Sequence, residues 1–321
     1  MNHCGRHGTR KAKLPSIRLV ESLPTSLERL RGTVGVWTST HESLPAARSG
    51  EVASELESLG YAAMWLPEAW SRESLTSAGL LLAATSRITI ATGIANIWGR
   101  DAVSAANAAR TLNAAYDDRF VLGLGVSHQP LVQGLRGHEY ATPLQEMRQY
   151  LTAMNAAPMF APEGDHDYAK VIAALGPKML ELGATLADGV HPYLVTPEHT
   201  AIARQIVGDK FVGVEQAVVL GESHEVFLER AHNHLEIYTG LENYRNSWRR
   251  FGFGDEDFVR GGSPRLCEAM VVHGDEQAVL SRINEHRAAG ADHVCLQVLG
   301  ENPTTVPLDE WRRLAPAVTA S

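Results

Sequence analysis

Short apolar runs alternate with amphipathic helical segments along almost the whole chain, and this alternation limits the folds that the chain can adopt. The runs that resemble buried strands lie at residues 34–38, 62–66, 88–98, 120–128, 171–175, 190–195, 211–220 and 293–299. Each is followed by a stretch with apolar residues at helical spacing. Eight such pairs are typical of a (β/α)8 TIM barrel, whereas a doubly wound sheet rarely contains eight parallel strands. We therefore predict an α/β fold of the TIM-barrel type.

Two segments depart from the alternation. Residues 240–274, rich in Trp, Arg and Phe, predict an insertion of short helices between strands seven and eight. Residues 1–31 begin as a basic segment but lack the apolar core and cleavage site of a secretory signal, so we expect a disordered N-terminal extension. The predicted organisation is one barrel domain over residues 32–318.

The composition narrows the classes of partner. A net charge of −8 without any basic run argues against nucleic acid or an anionic membrane surface. No apolar stretch reaches eighteen residues, so we expect no membrane span. Cys4, Cys267 and Cys295 are too scattered for a disulfide framework or a metal site, which fits a reducing cytoplasm. We expect a cytoplasmic protein that binds a small molecule.

Strands three and four both end in glycine followed by polar residues. Gly93 lies inside an apolar run, where glycine usually marks a bulge or a close backbone approach. Catalytic groups of a TIM barrel lie at the C-terminal ends of its strands. The candidate residues at these ends are Trp37, Thr38, Glu68, Asn96, Ser127, His128, Gly176, Tyr193, Thr196, Glu215, Gln216 and Gln297.

This set of residues does not favour several common barrel chemistries. It contains no His-x-His pair or carboxylate cluster at ligand spacing, so we predict no metal site. Lys178 lies just beyond strand five and is the nearest lysine, which weakens a Schiff-base mechanism. An apolar, aromatic site with a few hydrogen-bonding groups suits a flat organic cofactor that supplies the chemistry itself.

Six motifs, in this order and spacing, carry a resemblance to a known family. They are GVWTS at 35–39, SLGYAAMWLPE at 58–68, ATGIANIWGRD at 91–101, RFVLGLGVSH at 119–128, AALGPKMLELGATLADG at 173–189 and AGADHVCLQVL at 289–299. The chain resembles the bacterial luciferase-like monooxygenase superfamily, and within it the F420-dependent oxidoreductase branch. The resemblance implies hydride transfer between coenzyme F420 and a small organic substrate, and a homodimer.

Alternatives to this activity remain open. One is an FMN-dependent monooxygenase that uses reduced FMN and O2, and another is a non-catalytic flavin-binding barrel. A cofactor-free barrel isomerase or lyase is a further possibility. Binding of F420 or FMN distinguishes the two cofactors and the cofactor-free barrel, whereas loss of turnover on replacing Glu68 and His128 distinguishes an enzyme from a non-catalytic barrel.

The resemblance also implies roles for particular residues. A non-prolyl cis peptide at Gly93-Ile94 would support the cofactor ring, and the loop at residues 175–179 would hold its phosphate. A Gly-Pro helix start is consistent with that role, because it offers backbone N–H groups and a positive dipole end to an anion. The implied cofactor-binding residues are Thr38, Gly93, Ile94, Ala95, Asn96, Gly125, Ser127, Leu175, Gly176, Pro177, Lys178 and Met179.

Two residues are candidates for proton transfer. The resemblance implies an acid or histidine at the end of strand two, where Glu68 lies between Trp65 and Trp70. The alternative for Glu68 is an ion pair with Arg100 or Arg72. His128 is the second candidate, and its alternative is a hydrogen-bonded histidine without a catalytic role.

Overall fold

Parallel pairing closes an eight-stranded barrel in the part of the chain that the computed structural model describes, which comprises residues 23–69, 71–162 and 167–320. The strands are β1 (Thr33–Trp37), β2 (Ala63–Leu66), β3 (Thr89–Thr92), β4 (Ala95–Asn96), β5 (Phe120–Gly125), β6 (Ala169–Ile172), β7 (Gly189–Val190), β8 (Phe211–Leu220), β9 (Val271–Gly274) and β10 (His293–Val298). The barrel runs β1-β2-β3-β5-β6-β7-β8-β10, and β10 pairs with β8 and β1 to close it. The predicted TIM barrel is therefore confirmed.

Helices connect the strands and surround the barrel. They are α1 (Thr25–Glu28), α2 (Ala46–Ser58), α3 (Ser74–Ala83), α4 (Ala102–Ala115), α5 (Pro143–Asn155), α6 (Pro177–Leu186), α7 (Pro197–Val207), α8 (His224–Leu235), α9 (Glu242–Arg249), α10 (Pro264–Met270), α11 (Glu276–Ala288) and α12 (Leu308–Val318). Asp101 is the N-cap of α4: its side chain accepts a hydrogen bond from the backbone N–H of Ser104 at 2.9 Å. None of the helices in the described ranges has the length and apolarity of a transmembrane segment.

Alternating strand residues build two apolar layers. One set fills the barrel interior and includes Trp37, Trp65, Val121, Val171 and Phe211. The other set faces the helices and includes Val36, Leu66, Ile90, Leu122 and Val214. Full burial of such a side chain contributes roughly 1.5–3 kcal/mol, so both layers stabilise the strand ends that carry the site.

The described part of the predicted N-terminal extension packs against the barrel. Residues 23–31 include α1, and Leu27 and Leu30 are fully buried among the interior residues at the N-terminal ends of the strands. Residues 1–22 lie outside the described residues. The segment from α1 onward thus contributes to the core, because it covers the end of the barrel opposite the site.

The predicted insertion at residues 240–274 packs over the ends of β7 and β8. It contains α9 and α10, but its last four residues form β9 rather than a helix. The β-branched pair Val271 and Val272 favours a strand there, and β9 pairs in parallel with the second half of β8. Trp248 of α9 is buried and donates its indole N–H to the carbonyl of Leu194 at 3.2 Å. The insertion therefore shapes one side of the barrel opening.

Candidate active site

The C-terminal ends of the strands converge on one opening, which we call the mouth. The residues that define it are Trp37, Gly93, Gly125, Tyr193 and Gln297, each at or just beyond the end of a different barrel strand. Parallel strands place all these positions at the same end of the barrel, which is where TIM-barrel active sites lie.

A bulge between β3 and β4 forms one side of the mouth. The Gly93-Ile94 peptide is cis, as predicted. The backbone N–H of Gly93 donates to Leu66 at 2.7 Å, and the carbonyl of Ile94 accepts the N–H of Glu68 at 3.1 Å. Trp37 donates its indole N–H to the carbonyl of Gly93 at 2.8 Å. Residues from β1, β2 and the β2–α3 loop therefore hold the bulge in place.

Only glycine fits at position 93. A Cβ there would lie 2.6 Å from Nε1 of Trp37 and 3.2 Å from Nε2 of His191, closer than side chains normally approach. A Cβ on Gly125, on the neighbouring strand β5, would overlap the Ile94 side chain. The two glycines thus allow the bulge, Trp37 and β5 to approach closely.

Glu68 is part of a buried ion pair beside the bulge. It pairs with Arg100, which also contacts Glu73 at 2.6 Å. Its two carboxylate oxygens accept the N–H groups of Asn96 at 2.7 Å and Ser74 at 3.2 Å. The structure therefore favours the ion-pair alternative, with Arg100 as partner, over proton donation. Trp70, expected to lie beside Glu68, is outside the described residues.

His128 lies at the rim of the mouth. Its ring is 6.0 Å from the ring of Tyr244 in the insertion, and its carbonyl accepts the N–H groups of Leu131 and Val132. Burial lowers the pKa of His128, so the imidazole is neutral at pH 7. Ser127, just before it, has a φ of 57°, and its backbone carbonyl accepts a hydrogen bond from the Tyr140 hydroxyl at 3.2 Å. His128 can donate or accept a hydrogen bond but carries no charge.

An aromatic wall forms the other side of the mouth. We use this name for Trp37, Tyr193, Tyr238, Tyr244 and His128, whose neighbouring ring centroids are 4.9–6.0 Å apart. Burial raises the pKa of Tyr238 to about 12 and that of Tyr193 well above its usual range. The side chains of the wall are therefore uncharged at pH 7.

A polar network centres on the Tyr193 hydroxyl. Tyr193 donates to Oε1 of Gln297 at 2.7 Å, and Tyr238 donates to the Tyr193 hydroxyl at 3.3 Å. Nε2 of His234 lies 3.5 Å from the same hydroxyl, and burial lowers the pKa of His234 to about 4. The side chains of Gln297, Tyr238 and His234, which come from three different segments, thus surround the Tyr193 hydroxyl with hydrogen-bonding groups.

His191 lies beneath the wall and was missed in the sequence because it follows a strand of only two residues. Its ring stacks on Trp65 at 4.3 Å, and Nδ1 donates to the carbonyl of Gly213 at 2.9 Å. Burial lowers the pKa of His191 to about 4, although the hydrogen bond to Gly213 acts in the opposite direction. Nε2 is therefore an acceptor that faces Gly93 and has no partner among the described residues.

Glu215 is buried near the wall. One carboxyl oxygen accepts the N–H of Leu194 at 3.0 Å, and the other has no partner among the described residues. Burial raises the pKa of Glu215 to about 8. Its side chain is thus mainly protonated at neutral pH.

Glu215 should make stability fall as the pH rises from about 5 to 8. Its pKa is raised on folding, so in this range the folded state retains a proton that the unfolded state has released. We expect the stability advantage of Glu215→Gln over the wild type to grow by roughly 1 kcal/mol per pH unit between pH 5.5 and 7.5. Urea unfolding of both proteins across this range measures the difference, and a constant difference would contradict the assignment.

The predicted phosphate loop lies at the start of α6. Gly176 is the N-cap and Pro177 the first helical residue, while Lys178 is exposed. The guanidinium group of Arg250, from the insertion, lies beside Gly176: its nitrogens are 3.5 and 3.9 Å from a Cβ placed there. The helix dipole, Lys178 and Arg250 together favour an anion at this position. Sequence reasoning missed Arg250 because it is more than seventy residues away along the chain.

Other predicted site residues have structural contacts. Leu175 and Met179 pack against the helix-facing core, and Ala95 is fully buried in it. The Thr38 hydroxyl lies 2.9 Å from that of Thr40, and Asn96 accepts the N–H of Trp98 at 3.0 Å. These residues can present only backbone or edge groups to a ligand without losing these contacts.

Gln216 lies away from the mouth, whereas Thr196 lies at the same end of the barrel as the mouth. Gln216 faces α11, where its Oε1 lies 3.0 Å from Nε2 of His286, so its placement at the mouth was wrong. Side chains alternate across a strand, and Glu215 therefore takes the interior position in place of Gln216. Thr196 is the N-cap of α7.

Comparison with known proteins gives consistent matches. Residues 30–293 match the family model described as luciferase-like monooxygenase. A Mycobacterium tuberculosis protein whose name provisionally gives it as a coenzyme F420-dependent oxidoreductase is 24% identical over 197 residues, which are 52% of this chain and 57% of that protein. The chain spans about half to two thirds of the length of the curated relatives it matches.

Solved structures share the fold. An F420-dependent secondary alcohol dehydrogenase in complex with an F420-acetone adduct has a TM-score of 0.69 at 14% identity, covering 90% of this chain and 99% of that one. The FMN-bound oxygenating constituent of 3,6-diketocamphane monooxygenase from Pseudomonas putida has a TM-score of 0.62 at 16% identity, covering 89% and 96%. At these identities the likeness concerns the fold alone.

Proposed function

Because the chain belongs to the luciferase-like monooxygenase family, we propose that it is an oxidoreductase that transfers a hydride between coenzyme F420 and a small organic substrate in the mouth. The observation that supports this proposal most is that an uncharged aromatic surface and a positively charged helix start lie on neighbouring strands. The uncharged aromatic wall reaches Tyr193, which follows β7, and the cationic start of α6 follows the adjacent strand β6. Together they fit a ligand with a flat ring and an anionic tail.

The residues present fit such a cofactor. The ring would lie against the bulge at residues 93–96 and Gly125, where the two glycines let the bulge, Trp37 and β5 pack closely together. The unpartnered Nε2 of His191 and the indole of Trp37 adjoin the same bulge. The phosphate would lie at Gly176, with Lys178 and Arg250 supplying positive charge.

The bound coenzyme would donate or accept the hydride, and the protein would orient the two reactants and exclude water. The insertion helps to exclude water because Tyr244 and Trp248 cover one side of the opening. Aromatic residues with hydroxyl groups suit a neutral substrate that makes one or two hydrogen bonds.

The alternative is an FMN-dependent monooxygenase that uses reduced FMN and O2. FMN also combines a flat ring with a phosphate, so the start of α6 suits either molecule. Titration of the purified protein with F420 and with FMN, followed by fluorescence, separates the two. We expect micromolar binding of F420; binding of FMN alone would favour the alternative, and binding of neither would contradict the proposal.

Arg250→Ala should weaken F420 binding about tenfold. The variant removes one charged hydrogen-bond donor from the phosphate position, which is worth roughly 1.5 kcal/mol. Arg249→Ala is a matched control, since Arg249 instead pairs with Glu242 and Asp255. A deazaflavin that lacks the phosphate should bind wild type and Arg250→Ala equally. Equal loss for both ligands would mean that Arg250 does not contact the phosphate.

A further inference from the structure

The hydroxyl group of Tyr193 is the best-connected polar group of the aromatic wall. The Tyr193 ring lies 5.2 Å from that of Trp37, which in turn donates to the carbonyl of Gly93 in the bulge. The phenol therefore lies one side chain away from the proposed cofactor position. It is partly exposed, so a substrate in the mouth can reach it.

The other acidic or basic groups near the mouth are paired, almost completely buried, as His191 is, or remote from the bulge. Both carboxylate oxygens of Glu68 bind backbone N–H groups, and one also binds Arg100. Glu215 is almost completely buried. The ring of His128 lies at the far end of the wall, against Tyr244. Tyr193 is partly exposed, and it is the member of the wall with the most hydrogen-bonding partners among the described residues: Gln297, Tyr238 and His234.

We propose that Tyr193 is a catalytic residue that donates a proton to the carbonyl oxygen of a neutral substrate, with Tyr238 and Gln297 as positioning residues. This inference rests on the proposed function. Oε1 of Gln297 accepts a hydrogen bond from the Tyr193 hydroxyl at 2.7 Å, and a bound substrate oxygen would replace it as the acceptor. Tyr238, which donates to Tyr193, keeps the phenolic oxygen oriented.

The proposed step reduces a carbonyl group to an alcohol. The carbonyl carbon takes up a hydride, with its electron pair, from the reduced coenzyme, and the π bond to oxygen breaks. The oxygen takes the proton from Tyr193, so the carbonyl is reduced to an alcohol and the coenzyme is oxidised. Tyr193 then regains a proton from solvent through the hydrogen-bonded group formed with Tyr238 and His234. In the reverse direction Tyr193 first releases its proton to solvent through the same hydrogen-bonded group and then, as the phenolate, accepts the alcohol proton while the coenzyme accepts the hydride.

The chemistry of the wall supports this role. Burial keeps the Tyr193 phenol neutral, so it can donate a hydrogen bond across the physiological pH range. The raised pKa makes it a weak acid, but the alkoxide that hydride transfer forms is a stronger base than a phenolate and can take the proton. Positioned general acids typically contribute 10²–10⁴-fold to the rate. A charged substrate would be poorly matched, because the wall offers aromatic faces and uncharged donors and acceptors.

The test uses the full-length protein, reduced F420, and acetone, acetophenone and benzaldehyde as carbonyl probes. We expect Tyr193→Phe to lower kcat for any reduced probe about 100-fold while the Kd for F420 stays within twofold. Tyr168→Phe is the matched control, since Tyr168 lies at the opposite end of the barrel; its kcat should be unchanged. We expect Tyr238→Phe to lower kcat about tenfold with little change in KM.

The outcomes distinguish this inference from the proposed function. Unchanged kcat in Tyr193→Phe would overturn the role of Tyr193. A protein that binds F420 but reduces none of the probes would overturn the carbonyl assignment and leave cofactor binding intact. Failure to bind F420 would instead remove the proposed function, and the inference with it.

Discussion

Replacing Gly93 by alanine should destabilise the protein by about 3 kcal/mol and weaken F420 binding at least tenfold. The new Cβ would lie 2.6 Å from Nε1 of Trp37, which is a rigid and almost completely buried indole. Trp37 would have to move, losing its hydrogen bond to Gly93 and its packing against Tyr193. Overpacking and a lost buried hydrogen bond each cost roughly 1–3 kcal/mol.

Gly134→Ala is the matched control for this prediction. A Cβ at Gly134 has no atom within 4 Å, so the same chemical change should alter stability by less than about 0.5 kcal/mol. Urea unfolding and F420 titration of both variants measure the two effects. Gly93→Ala with wild-type stability and affinity would show that the bulge tolerates a side chain, contrary to the geometry described above.

Glu68→Gln should destabilise the protein by about 3 kcal/mol. The change leaves the largely buried guanidinium of Arg100 with Glu73 as its remaining charged partner, and removing one member of a buried pair is costly. The glutamine can still accept the N–H of Asn96, so part of the local structure should persist. Thermal or urea unfolding measures the loss.

Glu68→Gln also distinguishes the two hypotheses for Glu68, a structural ion pair with Arg100 and a catalytic proton donor. Glu51→Gln is the control, because Glu51 pairs with Arg48 at the exposed surface, where such pairs contribute little. A structural ion pair predicts lost stability and a modest effect on turnover. Full stability with abolished turnover would instead return Glu68 to the role of proton donor.

The fold was predictable because it depends on periodicity. Eight apolar runs separated by helical patterns left few architectures, and the barrel order follows the chain order. The strand β9 was missed because a four-residue strand inside a helical segment has no alternation long enough to detect. The helix α1 was missed for the same reason, since four residues carry little pattern.

The site was only partly predictable from the sequence. The family resemblance located the bulge at Gly93-Ile94, and the sequence offered both Arg100 and Arg72 as partners for Glu68. The choice between them depends on how the β2–α3 loop and the β4–α4 loop meet, which no local pattern encodes. Arg250 approaches the start of α6 through packing of the insertion, and Tyr238 reaches Tyr193 from the turn just before the insertion, so their roles follow from tertiary structure.

A crystal structure of the protein with bound F420 tests the central claim most directly. We predict that the deazaflavin ring contacts the bulge at Gly93-Ile94 and faces Tyr193, with the phosphate at Gly176 within hydrogen-bond distance of Arg250. A ring bound outside the mouth, or a phosphate remote from the start of α6, would contradict this account.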